Sequence, residues 1–389
     1  MKLSELVTKE KSYSLSRDVE TEKETETRYI HYGDIHTGIA DKITNKNQLP
    51  FIKEDSYEPL LKGDLILADA SEDYQGIATP AIILETTKYR IVAGLHTIVL
   101  RPSDKCDSLY LYYLLKTKSF KRHGYRMGTG MKVFGITANN VLAFKTLLPS
   151  KKEQNKISQL LKIMDRLLTL QQRKLELLKK IKQGYLQQLF PSKGQSIPNI
   201  RFLEFKENWI QKKLGNYLSI PEKKQVDNLK DLKLMTLKLN LGGINLSANR
   251  ETLELGATKY FVRKSGQLIY GKQNFFHGSI AIIPDNADGY ATSGDVPALD
   301  IEGIQPKFLL DYISRPSYYL EKEARAIGTG SKRIHEKDLF SFEISSPSQI
   351  EQIKITNIVD NMDKILILQK SKIQKLKQLK QAYLQKLFP

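Results

Sequence analysis

At residues 149–191 the chain reads PSKKEQNKISQLLKIMDRLLTLQQRKLELLKKIKQGYLQQLFP, and at residues 347–389 it reads PSQIEQIKITNIVDNMDKILILQKSKIQKLKQLKQAYLQKLFP. Laid over each other at a constant offset of 198, the two stretches are identical at 22 of 43 positions. Both open on Pro-Ser-x-x-Glu-Gln and close on Tyr-Leu-Gln-x-Leu-Phe-Pro. A repeat of this period is a duplicated, domain-sized unit and not a solenoid.

Within the first copy Ile157, Leu161, Met164, Leu168, Gln171, Leu175, Leu178, Lys182, Tyr185 and Leu189 follow one another by alternating steps of four and three. That is the seam of a coiled coil. The second copy repeats it as Ile355, Val359, Met362, Leu366, Gln369, Ile373, Leu376, Lys380, Tyr383 and Leu387, with the glutamine and lysine interruptions at the same places. A segment of this length makes about 57 Å of helix at ~1.5 Å per residue. A helix that long with an apolar stripe needs a partner, and its own repeat is the economical one, parallel or antiparallel.

Outward from the helices, the chain reads as body, helix, body, helix. The expected divisions are a first body over residues 1–148, the first helical region over 149–191, a linker over 192–199, a second body over 200–346 and the second helical region over 347–389. The first body opens on Lys2-Leu3-Ser4-Glu5-Leu6-Val7, and the polar residues 9–28 are expected to be a loop. Short runs rich in β-branched residues follow, bounded by Gly, Pro and Asp, at residues 28–32, 64–68, 79–84 and 96–100. These predict a β-rich body, with a helix near residues 108–119. The second body carries weak echoes of the first. Lys213-Leu214-Gly215 faces Lys2-Leu3-Ser4, Ser265-Gly266 faces Lys62-Gly63, Phe308-Leu309-Leu310-Asp311 faces Tyr110-Leu111-Tyr112-Tyr113, and Gly328-Thr329-Gly330-Ser331-Lys332 faces Gly128-Thr129-Gly130-Met131-Lys132. The helices have stayed alike while the bodies have drifted, as two different recognition heads on one frame would.

The net charge is +18 and the isoelectric point near 9.5. A basic chain favours polyanions, most often nucleic acid, although a lysine-rich surface also has an ordinary solvating role. The two helical repeats carry +7 and +5 of the excess. They read either as solvated faces or as a basic rod against a duplex or an acidic partner. With Cys106 the single cysteine, a disulfide framework and a cysteine-based zinc site within one chain are excluded. No signal peptide or membrane-length apolar run is legible, so a cytoplasmic protein is expected.

Catalytic signatures are sought and mostly not found. Gly266–Lys272 fits G-x-x-x-x-G-K, but Gln273 stands where a metal-binding Ser or Thr belongs, and its middle reads as a strand end. The six histidines show no metal spacing. Three groups of residues are candidate DNA contacts. Thr129 and Lys132, and again Thr329, Lys332 and Arg333, lie on glycine turns that are either phosphate-contacting or simply tight turns. Lys272, Gln273, Asn274 and His277 concentrate groups able to read base edges, or form a polar loop tip.

On the duplicated Pro-Ser-x-x-Glu-Gln helix, its Tyr-Leu-Gln-x-Leu-Phe-Pro ending, the stretch from Ile200-Arg201-Phe202 to Trp209, and the Gly-Thr-Gly-x-Lys turns, the chain resembles the specificity subunit of type I restriction–modification systems. The resemblance covers essentially the whole chain, with one departure: the first body has no counterpart of Ile200 to Trp209. It implies an α+β fold, with two β-rich target-recognition domains separated by two long helices packed as an antiparallel coiled coil in a pseudo-two-fold internal repeat. It further implies that each body reads half of a bipartite site on double-stranded DNA. Two methylation subunits and two motor–nuclease (restriction) subunits would be the partners. The chain would hold no catalytic residue, metal or cofactor of its own, S-adenosylmethionine, ATP and Mg²⁺ belonging to partners. The competing readings are a self-contained nuclease or methyltransferase, and a non-catalytic coiled-coil DNA-binding or scaffold protein outside restriction–modification.

Overall fold

Lys151–Gln188 and Gln349–Lys386 each form one unbroken helix of 38 residues in a computed structural model of the chain. The structure describes residues 1–53, 55–130, 132–226, 232–247, 258–326 and 332–388. Both helices start the same way. Ser150 Oγ accepts from Glu153 N at 3.3 Å, and Ser348 Oγ from Glu351 N at 3.4 Å, so the serine of the shared opening is a helix cap. Pro191 ends the first helix because proline can neither donate to the helix nor tolerate its continuation. Burial follows the heptad stripe. Ile157, Leu161, Met164, Leu189, Ile355, Val359, Gln369 and Ile373 are buried. The other seam positions are half-buried, apart from the more exposed Tyr185.

The chain divides into two compact units, Met1–Arg173 with Lys370–Pro389, and Lys174–Gln369. The division falls inside both long helices, so each unit holds one body, the start of one helix and the end of the other.

The shared motifs show how each unit is closed. In the first, Gln154 is buried; its Oε1 accepts from Asp107 N at 2.8 Å and its Nε2 donates to Pro149 O at 2.9 Å. In the second, Gln352 makes the same two bonds, to Gln305 N and Pro347 O, both at 2.9 Å. The glutamine of Pro-Ser-x-x-Glu-Gln thus ties the start of each helix to the N-terminus of the short helix before it, Ser108–Leu114 in one unit and Pro306–Ile313 in the other. The phenylalanine of Leu-Phe-Pro anchors the other end. Phe388 stacks on Tyr110 with ring centroids 4.9 Å apart, and Phe190 lies 5.3 Å from Phe308 and 6.2 Å from Trp209. Each helix therefore starts against one body and ends in the core of the other. Within each unit the two helix segments consequently run antiparallel.

The heptad lysines are ion-paired between these segments. Lys380 meets Asp165 in the first unit, and Lys182 meets Asp363 in the second. Asp165 also receives Lys42 and, at 2.7 Å, the Tyr113 hydroxyl. Burial would raise its pKa, but the hydrogen bonds from Lys380 and Lys42 hold it below the usual carboxylate range. The position equivalent to Tyr113 in the second unit is Asp311, beside Lys307 at 2.5 Å. One Asp311 oxygen is buried without a partner, and burial, outweighing the pull of Lys307, pushes this carboxyl up to about 6. Arg315 is also buried, and among the described residues it has no carboxylate partner. It donates to Tyr312 O and Pro191 O at 3.0 and 3.1 Å and lies over the Tyr312 ring, which fixes the end of the first long helix.

The bodies are β-rich. The first holds a five-stranded sheet in the order Val7–Glu10, Thr97–Pro102, Leu65–Ala68, Pro80–Ile83, Lys42–Ile43, antiparallel except at the last pair. A four-stranded sheet contains Glu20–Thr21, Phe51–Ile52, Thr27–Ile30 and Arg90–Ala93. The expected loop at residues 9–28 is thus partly strand. Lys9 and Glu10 pair with Leu100 and Val99, and as charged residues on an edge they carry no apolar alternation to betray the strand. The second body builds its four-stranded sheet from Leu218–Ser219, Ala298–Ile301, Leu268–Tyr270 and Ile280–Ile282. It also pairs Ile210–Lys213 with Glu343–Ser346, at the place where the first body has the antiparallel bridge Lys2–Lys145. The segment before Ile210 brings Arg201 onto Glu351, 2.8 and 2.9 Å in a two-bond fork, and buries that carboxylate. Glu153, the equivalent residue of the first unit, is exposed.

Candidate nucleic-acid interface

The glycine turn of the first body is an arm. Thr129 and Gly135 exchange both backbone hydrogen bonds, at 2.9 and 2.8 Å, and Phe134–Gly135 pairs with Ala70–Ser71. Gly130 has φ of +132°, and a Cβ there would lie 1.9 Å from Val133 O, so the turn requires glycine. Thr129 and Lys132 are exposed, as is Val133 at 58%. Of the matching turn in the second body, Thr329 lies outside the described residues. Lys332 there is ion-paired with Glu323 at 2.9 Å, and Arg333 with Asp295 at 3.0 Å.

The stretch from Lys272 to His277 is less a loop tip than a tight, anchored turn. Phe275–His277 is a short 3-10 helix whose Phe275 and Phe276 are buried, and Gly278 closes it at φ +70°. Gln273 and Asn274 are half-buried and His277 is exposed. Lys272 is largely buried and bound to Glu336 at 3.1 Å, which makes it a strut more than a free cation. Leu268–Tyr270 is a fully buried strand, so Gly266–Lys272 does not form a phosphate-cradling loop. The hairpin Thr236–Leu237/Ile244–Asn245 approaches this turn, with Asn240 and Leu241 both at positive φ and bonded to His277 O and Gly278 O.

The first body brings together residues that sequence reasoning passed over. Asp69 follows the strand Leu65–Ala68, and its Oδ1 lies 3.0 Å from His96 Nδ1. His96 is half-exposed and holds a left-handed φ of +58°. Tyr32 packs edge-on against both His96 and His36, at 5.4 and 5.8 Å, and against His31 at 4.4 Å. Burial, then the charge of Arg17, holds His31 below its usual pKa. The histidines look scattered along the chain because these contacts span up to 64 residues, from Tyr32 to His96; a non-glycine residue in left-handed backbone leaves no sequence signal.

Three kinds of comparison bear on this geometry. Residues 1–180 match the family described as the type I restriction modification DNA specificity domain. A protein of Methanocaldococcus jannaschii, named as the type I restriction enzyme MjaX specificity subunit, is 27% identical over 192 residues, 46% of this chain and 44% of that one. The chain thus spans less than half the length of that curated relative. Solved structures align over the whole chain. The S subunit of a type I restriction–modification system from M. genitalium aligns at TM-score 0.56, 15% identity and 95% coverage of that chain. The HsdS subunit from Thermoanaerobacter tengcongensis aligns at 0.52, 19% and 95%. A chain from a structure of the type I R-M system aligns at 0.59, 17% and 96%. The fold is that of type I restriction–modification specificity subunits: α+β, with two β-rich bodies and two long helices packed as an antiparallel coiled coil. Among the described residues, no helix is long and apolar enough to cross a membrane.

Proposed function

We propose that this chain is the sequence-reading subunit of a type I restriction–modification complex, each body reading one half of a bipartite duplex site. The observation that carries the reading is the reciprocal closure of the two units. Each helix starts in one body through Gln154 or Gln352 and ends in the other through Phe190 or Phe388. Such a frame is alike in its two halves while the heads on it differ in their exposed residues, which is what an asymmetric, interrupted site demands.

The helices act as spacer and as docking frame for two methylation subunits, to which two motor–nuclease subunits add. A second apolar stripe supports docking. Ile163 and Leu170 are 62% and 52% exposed in the first unit; in the second, Leu368, equivalent to Leu170, is 69% exposed and Ile365 49%. Lys and Arg on the helices and arms supply salt-sensitive phosphate affinity. Methyl transfer, with S-adenosylmethionine, ATP and Mg²⁺, belongs to the partners, this chain acting without catalytic residues in the cytoplasm. The test is methylation sequencing of host DNA with the gene present and deleted. The reading expects one bipartite, asymmetric adenine-methylated motif that vanishes on deletion; a methylome indifferent to the gene would overturn it.

A further inference from the structure

Two backbone hydrogen bonds recur at matching points of the two bodies. Asp69 N donates to His96 O at 3.1 Å, and Lys272 N to Asp295 O at 2.9 Å. Ile136 N donates to Asp69 O, and Ile334 N to Lys272 O, both at 2.8 Å. In each body three segments therefore meet at one point: the end of a central strand, the turn before the next strand, and the segment leading out of the glycine turn. Around this point the equivalents are apolar and buried, as with Ile136 and Ile334.

At the junction itself the chemistry is different. The first body presents Asp69 paired with His96, whose side chains are 31% and 48% exposed. The second presents Arg333 paired with Asp295, 38% and 55% exposed, above the strut Lys272–Glu336. A backbone junction kept constant while the exposed pair on it changes from Asp69–His96 to Arg333–Asp295 is a place built for varying recognition. A carboxylate accepts from the exocyclic amine of cytosine or adenine, whereas arginine donates to O6 and N7 of guanine. Holding each of these groups against a neighbour removes rotamer freedom before contact.

We propose that this junction chooses a base in each half-site: Asp69, steered by His96, reads an amine-bearing base in the first, and Arg333, steered by Asp295, reads guanine in the second. The inference rests on the reading of the chain as a DNA-specificity subunit and adds to it which residues discriminate and for what chemistry.

The purified full-length chain would be used to select from a pool of randomised DNA duplexes, and the bound fraction sequenced. Wild type should enrich a bipartite motif; if it enriches none, the functional reading falls and this inference with it. Given a wild-type motif, Asp69→Asn should weaken the preference for cytosine or adenine at one position of one half by roughly five- to hundredfold. His96→Asn, whose side chain tolerates left-handed backbone, should weaken the same position by less. Arg333→Ala should relax guanine at one position of the other half. In all three the unaffected half and the salt slope should persist. An unchanged motif in Asp69→Asn and Arg333→Ala would overturn the inference while leaving the functional reading intact. So would the erasure of a whole half-site in a variant, because that reports a damaged body and not a lost base contact.

Discussion

At the scale of single residues, the shared glutamines and the unmatched Asp311 carry the sharpest energetic consequences. Gln154 and Gln352 each satisfy one backbone N–H of a short helix from a buried position. Replacing either by alanine should cost about 1–3 kcal/mol in chemical denaturation, because the orphaned donor loses its partner without gaining water. The two costs should be similar, since the bonds are the same length to within 0.1 Å. Asp311 works in the opposite sense. Its folded pKa of about 6 lies above the ordinary value of 3.8, so the folded state binds the proton more tightly. The stability this group contributes is full below about pH 4 and is lost as pH rises through about 6. Asp311→Asn should therefore raise the denaturation midpoint at pH 7.5 relative to wild type, with the gain shrinking towards pH 5. A gain independent of pH would show that Asp311 is ionised throughout.

At the scale of elements, the helices were legible because their sequence states its own limits twice, and because alternating steps of three and four survive intact at every seam position. The same stripe concealed something. Ile157, Leu161 and Met164 pack into the first body's core with Tyr110 and Phe388, so this part of the seam serves a body as well as a helix. Periodicity reports that a face is buried and says nothing of what buries it. The charged edge strand Val7–Glu10 was illegible for lack of alternation, and the Asp69–His96 junction because only the fold brings residues so far apart in sequence together. Unequal anchoring at the helix ends leads to a further expectation. Phe190 is enclosed by Trp209, Phe308 and Tyr312, whereas among the described residues Phe388 stacks on Tyr110. Phe190→Ala should cost about 3–5 kcal/mol, and Phe388→Ala less, as read by urea denaturation. Equal losses would mean that the aromatic cage adds nothing to the anchor.

At the scale of the whole molecule, the duplication explains why the bodies could diverge. The contacts that close each unit run through the glutamine, phenylalanine and lysine–aspartate positions, and these are the residues the two copies share. Side chains that face outward from the bodies take no part in that closure, so they are free to change without disturbing the frame. Asp165 and Asp363 pair with Lys380 and Lys182 at equivalent positions although the bodies beside them differ. Lengthening both helices by a heptad-compatible insertion should therefore lengthen the spacer of the methylated site without altering either half, and an unchanged spacer would remove the helices' role as a ruler. The independence of the two bodies is the central claim, and exchanging one of them tests it most directly. Residues 1–148 would be replaced by the corresponding body of a type I specificity subunit of different target, and the methylated motif sequenced in cells. The account expects one half of the motif to change and the other half and the spacer to stay as they were; a change in both halves, or in neither, would contradict it.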